Sequence, residues 1–203
     1  MCSSDLILEY SFLWSSDKKI LKRAAELARH SIQLDPSLSG NYTILASAHF
    51  WNGRIEEAIA AAERSLAINP NSAGCYGVLG AAQAAAGQVA SALGSLKRAL
   101  RLDPLAVSPA WVGLAYVNLR AGRTTEAIEL LERVRASNPD MVLARIALAG
   151  QYEASDRHQE ARSVVEEILR VSPDLTAELA AARAPPGFDR VAFRADLRKA
   201  GLP

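Results

Sequence analysis

A dipeptide ending in proline returns along this chain at an almost constant interval. Asp35-Pro36, Asn69-Pro70, Asp103-Pro104, Asn138-Pro139 and Ser172-Pro173 are spaced by 34, 34, 35 and 34 residues. An alanine stands twelve residues before each proline, at Ala24, Ala58, Ala92, Ala127 and Ala161. Two residue types keeping one beat define a unit of structure rather than a habit of turns, and a period in this range marks stacked repeats.

One copy shows what the unit is. Between Ser39 and Ser72, the residues Tyr42, Leu45, Ala46 and Phe50 fall at helical spacing, Asn52-Gly53 interrupts them, and Ile55, Ala58, Ile59, Ala62 and Leu66 resume it. Proline ends the second helix because it lacks the amide donor and drives the residue before it out of the α region. The expected fold is all-α, a right-handed α-solenoid of stacked antiparallel helix pairs in units 5–38, 39–72, 73–106, 108–141 and 142–175. A methyl group at the recurring alanine lets the two helices of a pair approach closely. Residues 176–203 form a cap and tail: a capping helix from Leu175 to Ala184, a stop at Pro185-Pro186-Gly187, and an amphipathic segment from Phe188 to Lys199.

These residues resemble the tetratricopeptide repeat. Leu45-Ala46, Leu79-Gly80, Leu114-Ala115 and Leu148-Ala149 supply its first pair, Trp111 stands where the family has tryptophan, and Gly53, Gly87 and Gly122 match its turn glycine. The first and last copies depart from it, with Lys19 and Asp156 at that turn and Ser11-Phe12 for the first pair. The closing string Leu197 to Pro203 resembles the end of bacterial proteins that join a class III adenylate or guanylate cyclase domain to such repeats. That implies the regulatory C-terminal part of a larger bacterial signalling protein whose catalytic half is elsewhere.

Composition narrows the function. Net charge is +1 with both signs mixed throughout, so nothing steers the chain toward nucleic acid or an anionic membrane. No stretch reaches the roughly 20 apolar residues of a membrane span, and the start lacks the basic and apolar regions of a signal peptide. Cys2 and Cys75 make neither a disulfide framework nor a metal-ligand spacing, which fits a reducing, cytoplasmic setting. Residues 1–4 read as a foreign or disordered leader, since Cys2 to Leu6 resembles the translation of a common sequencing adapter.

Catalytic patterns are missing. His30, His49 and His158 are far apart and form no His-Glu-x-x-His pair, so packing or surface positions account for them. Gly74, Gly77 and Gly80 are spaced by three in a helix and follow no strand, so close helix contact explains them better than a phosphate loop. Asp103, Asp140 and Asp174 flank the interrepeat prolines, where such side chains cap turns. We expect no enzyme, no cofactor and no metal.

Binding is what remains. In the family it resembles, the first helix of each pair lines the concave side. The ligand-facing positions are then Thr43, Ser47, Phe50, Trp51, Gly77 and Ala81, with Ala84 and Ala85, followed by Val112, Tyr116, Leu119, Arg120, Ile146, Gly150 and Glu153. Family members that clamp an acidic carboxyl end use Lys, Arg and Asn there, and this chain offers only Arg120. An apolar groove suits an amphipathic helix or extended peptide from a protein partner, although Phe50 and Trp51 also suit packing between units. Reading of RNA needs basic and hydrogen-bonding side chains where this chain has Ala, Gly and Leu. The alternative is self-association of a stand-alone repeat protein through Leu6, Ile7, Leu13 and Trp14 of the first unit.

Overall fold

The computed structural model describes residues 18–103, 109–137, 141–182 and 184–203, the side chains at 18, 109–112 and 120 excepted. The leader, the start of the first unit with Leu6, Ile7, Leu13 and Trp14, and the side chains of Trp111, Val112 and Arg120 lie outside the described residues. Among those described there are eleven helices and no strand. They are α1 (Lys18–Leu34), α2 (Ser39–Trp51), α3 (Ile55–Ile68), α4 (Ala73–Ala85), α5 (Val89–Leu102), α6 (Pro109–Arg120), α7 (Thr124–Ser137), α8 (Val142–Ala154), α9 (His158–Val171), α10 (Ala177–Ala182) and α11 (Arg190–Lys199).

Helices α2 to α9 stack as four antiparallel pairs. The second helix of each pair packs on the first helix of the next, and α4 also touches both α2 and α6. Ala24, Ala58, Ala92, Ala127 and Ala161 are all 0% exposed. The facing position on the first helix is equally small, being Ala46, Gly80, Ala115 and Ala149, all buried. At Gly80 the approach is so close that a Cβ would stand 2.5 Å from Leu96 Cγ and 3.2 Å from the Ala92 carbonyl oxygen. Gly74 meets nothing within 4 Å, so the expectation of close contact holds at Gly80 and fails at Gly74.

The turns repeat as faithfully as the crossings. Gly53, Gly87, Gly122 and Asp156 have φ of 75°, 78°, 73° and 58°. The amide of the next residue reaches back five positions each time: Arg54 to the His49 carbonyl at 2.9 Å, and Gln88 to Gln83, Arg123 to Asn118 and Arg157 to Tyr152 at 2.8 Å. This is the left-handed helix ending that satisfies otherwise orphaned carbonyls. Asp156, a departure from the repeat in sequence, therefore takes the same backbone shape, which aspartate tolerates at some cost.

Before the prolines the chain is extended, with φ of −129° at Asn69, −141° at Asp103 and −136° at Ser172. Asp35 and Asn69 also accept from the amide two residues on, at 2.9 Å from Ser37 and 3.1 Å from Asn71.

The cap differs from expectation. Instead of one helix from Leu175 to Ala184, α10 covers six residues, because the Thr176 hydroxyl accepts from the Leu179 amide and starts it late, and Pro185-Pro186 follow its end. The cap is completed by α11, which packs on α10 and on α8. Leu197 and Leu202 are 0% and 2% exposed, and the Ala177 amide donates to the Pro203 carbonyl at 2.6 Å.

Ala92→Leu, by overpacking the α4–α5 crossing, is expected to cost roughly 1–3 kcal/mol. Ala90→Leu, at an exposed position of the same helix, should leave the thermal midpoint nearly unchanged, and equal falls would count against this register. Asp156→Gly relieves the left-handed strain and should raise stability by about 0.5–1 kcal/mol, read from denaturant melts.

Candidate functional site

Along the stack, the first helices present one apolar face to a common cavity of about 70 Å³. Phe50 and Trp51 come from α2, Ala81 from α4, Tyr116 and Leu119 from α6, and Ile146 from α8. The Phe50 and Trp51 rings meet edge to face with centroids 5.2 Å apart. Ala81, Gly113, Ala115 and Ala147 form its small-residue floor, and the aromatic rings stand as its walls.

The structure brings six of the expected groove residues to this cavity: Phe50, Trp51, Ala81, Tyr116, Leu119 and Ile146. Thr43 and Ser47 are turned to other work. The Thr43 hydroxyl lies 2.8 Å from that of Ser65 on α3, and the Ser47 hydroxyl donates to the Thr43 carbonyl at 3.0 Å. Gly77 is buried within the stack, and Ala84 is buried in the contact of α4 with α5 and α6. Glu153 is buried beside α9, with its Oε1 3.0 Å from His158 Nδ1.

The C-terminal segment, read in sequence only as an amphipathic stretch, forms the remaining wall. Ala180, Ala184, Pro185, Phe188 and Phe193 all line the cavity. Phe188 stacks on Tyr116 with centroids 4.6 Å apart and planes 17° from parallel. Phe193 follows at 5.5 Å from Phe188 and lies against Gly150, where a Cβ would stand 2.9 Å from Phe193 Cδ2. Phe193 and Leu197, four apart and so on one helical face, were the available signal, but nothing local says which surface that face meets.

Charge is kept behind the groove. On the side away from the cavity, Arg135 of α7 binds Glu167 of α9 at 2.6 Å and Glu132 at 3.0 Å, and Arg145 of α8 binds Glu167 at 3.1 Å. Glu132 also accepts from the Tyr152 hydroxyl. Burial and then that bond to Glu132 push the Tyr152 hydroxyl up to about 12. Burial works against the Glu167 carboxylate, yet the hydrogen bonds from Arg135 and Arg145 outweigh it and hold Glu167 below the usual range.

Reactive groups are muted. Burial pushes the Cys75 thiol up, and its Sγ lies 3.3 Å from the Ala62 carbonyl, so Cys75 packs as a small apolar residue. Burial, then the charges of Arg54 and Arg29, keep buried His49 below its ordinary value against the pull of Glu57. No three His, Cys, Asp or Glu side chains converge as metal ligands, and no helix is long and apolar enough to cross a membrane, among the described residues.

Stacked antiparallel helix pairs lining one apolar cavity define an α-solenoid. Models of the tetratricopeptide repeat match residues 40–72, 78–141 and 118–184, and the chain belongs to that family. No curated protein matches the sequence. Among solved structures, TTC0263, a thermophilic TPR protein of Thermus thermophilus, is similar at 21% identity and a TM-score of 0.73, over 97% of this chain and 100% of that one. MamA is similar at 22% identity and 0.59, over 77% of this chain and 91% of its own. YrrB, described as a TPR protein with an unusual peptide-binding site, is similar at 18% identity and 0.55, over 87% and 88%. At such identities the likeness is one of fold.

The Glu167 network makes stability depend on acid. Because its carboxyl is held below the ordinary value, its contribution is full above about pH 4.5 and is lost as pH falls through the lowered value. Thermal midpoints measured from about pH 6 to about pH 3 should fall more steeply for the native chain than for Glu167→Gln, which lacks the titrating group.

Proposed function

We propose that this chain is a protein-binding scaffold whose groove takes a peptide or helix through large apolar side chains. The observation that carries it is the gathering of Phe50, Trp51, Ala81, Tyr116 and Ile146 from four successive first helices around one apolar cavity. Rigid aromatic walls with buried centres are where binding energy concentrates in interfaces of this kind. We extend the site to Val112 and Arg120, which share α6 with Tyr116, and to Thr43, Ser47, Gly77 and Glu153 as flanking positions of α2, α4 and α8. Tetratricopeptide domains bind proteins and peptides and typically do no chemistry, and YrrB is described by its peptide-binding site.

The related structures favour an array acting by itself over the end of a cyclase, since TTC0263 and MamA are matched over nearly their whole chains. The closing string that resembled cyclase tails has a structural reason of its own, because Leu197, Ala200 and Leu202 seal the cap. Under this reading, self-association is a second use of the array. A reducing compartment such as the cytoplasm suits the free, buried Cys75.

Peptides selected from a displayed random library on the full chain should carry large apolar or aromatic residues. Trp51→Ala and Tyr116→Ala, with helicity retained, should each weaken them by about tenfold or more, the scale of a hot spot. Selected peptides whose affinity ignores both substitutions would overturn the groove as the binding site.

A further inference from the structure

The tail does two separable jobs. Leu197, Ala200 and Leu202 close the end of the stack, buried against α8 and α10, and the Arg198 guanidinium pairs with Glu178 of α10. Pro185, Phe188 and Phe193 contribute more than closure, because they reach along the concave side and line the cavity assigned above to a partner. A cap needs only the first set.

The second set fits the groove in a ligand's manner. Phe188 lies nearly flat on Tyr116, the aromatic residue at the middle of the proposed binding wall. Gly187 brings the chain in so tightly that a Cβ there would stand 2.6 Å from the Tyr116 hydroxyl oxygen and 3.4 Å from Ala85 Cα, and its φ of +89° is one that glycine takes freely. Gly150 is bare where the Phe193 ring rests. Two aromatic side chains thus occupy two notches, one made by Tyr116 and one by the missing side chain at Gly150.

The loop is held by the Phe188 ring on Tyr116, while the cap is held by buried Leu197 and Leu202. The Phe188 amide reaches the Pro185 carbonyl at 3.3 Å, and Arg190 Nη2 donates to the Ala184 carbonyl at 3.2 Å. Gly187, Asp189 and Arg190 are exposed. The loop can therefore leave the groove while Leu197 and Leu202 keep α11 in place.

We infer that the Tyr116 notch of the groove is a site for aromatic side chains, that Phe188 fills it as an intramolecular occupant, and that a peptide partner enters by presenting an aromatic residue that replaces Phe188. This rests on the groove being the peptide site. Phe50, Trp51 and Ala81 line the same cavity and give the incoming peptide further apolar contact. A groove whose open form is about one-tenth populated binds about tenfold more weakly than the same groove held open.

The test uses the full chain and a labelled synthetic peptide of residues 184–194, followed by fluorescence anisotropy. Phe188→Ala should bind the peptide about tenfold more tightly than the native chain. The gain should vanish when Tyr116→Ala is added, or when the peptide's own residue 188 is alanine. If Phe188→Ala does not fold, Phe188→Leu keeps the apolar volume without the stacked ring and should also bind more tightly than the native chain. Equal affinity for native and folded variant chains, or no binding to a folded variant, would overturn the inference. Library peptides that depend on Trp51 and Tyr116 would survive that result, so the groove and its occupant can fail separately.

Discussion

Everything in this molecule hangs on how closely two helices of a pair can cross. In the four described pairs an alanine with no exposed surface sets that distance, and in one pair the opposing residue has no side chain at all. Buried surfaces are close-packed, so replacing a methyl group at such a crossing shifts whole backbones rather than filling spare room. Because the same contact recurs, each pair takes the same relation to the next, and identical steps generate a curved stack with a continuous inner face. The left-handed turns at Gly53, Gly87, Gly122 and Asp156 keep that step constant by ending each first helix alike.

The inner face is useful because polarity is held elsewhere. Arg135, Arg145, Glu132 and Glu167 tie the last two pairs together behind the groove by ion pairs across α7, α8 and α9. The groove itself is left to Phe50, Trp51, Tyr116 and Ile146 over a floor of alanine and glycine. A surface of that kind is stable when covered and uncomfortable when bare. The tail meets part of this need with Phe188 and Phe193, which ties the end of the chain to the region where a partner would bind.

Local rules made most of the stack legible. The proline beat marked the second-helix ends, and Asn69, Asp103 and Ser172, each before such a proline, leave the α region for the steric reason that proline imposes. The alanine beat marked the crossings. Tyr116 and Ile146 reach the groove because their spacing along the first helices is periodic, while Thr43 and Glu153, at equally periodic places, are drawn off by Ser65 and His158. Side-chain hydrogen bonds of that sort carry no periodic signature. The same holds for the tail: Phe188 finds Tyr116 across 72 residues of chain, and no spacing encodes a contact made by a segment outside the repeat. The short α10 was missed because one threonine hydroxyl decides where it begins.

If this spiral holds an aromatic residue of its own tail in its concave groove, the ring protons of Phe188 and Tyr116 must lie within reach of a nuclear Overhauser contact in the full chain. Strong cross-peaks between them are expected, with the Phe188 ring resonances shifted by the stacked tyrosine. Absent cross-peaks, with the Phe188 ring at unfolded-chain shifts while the helices remain formed, would contradict it.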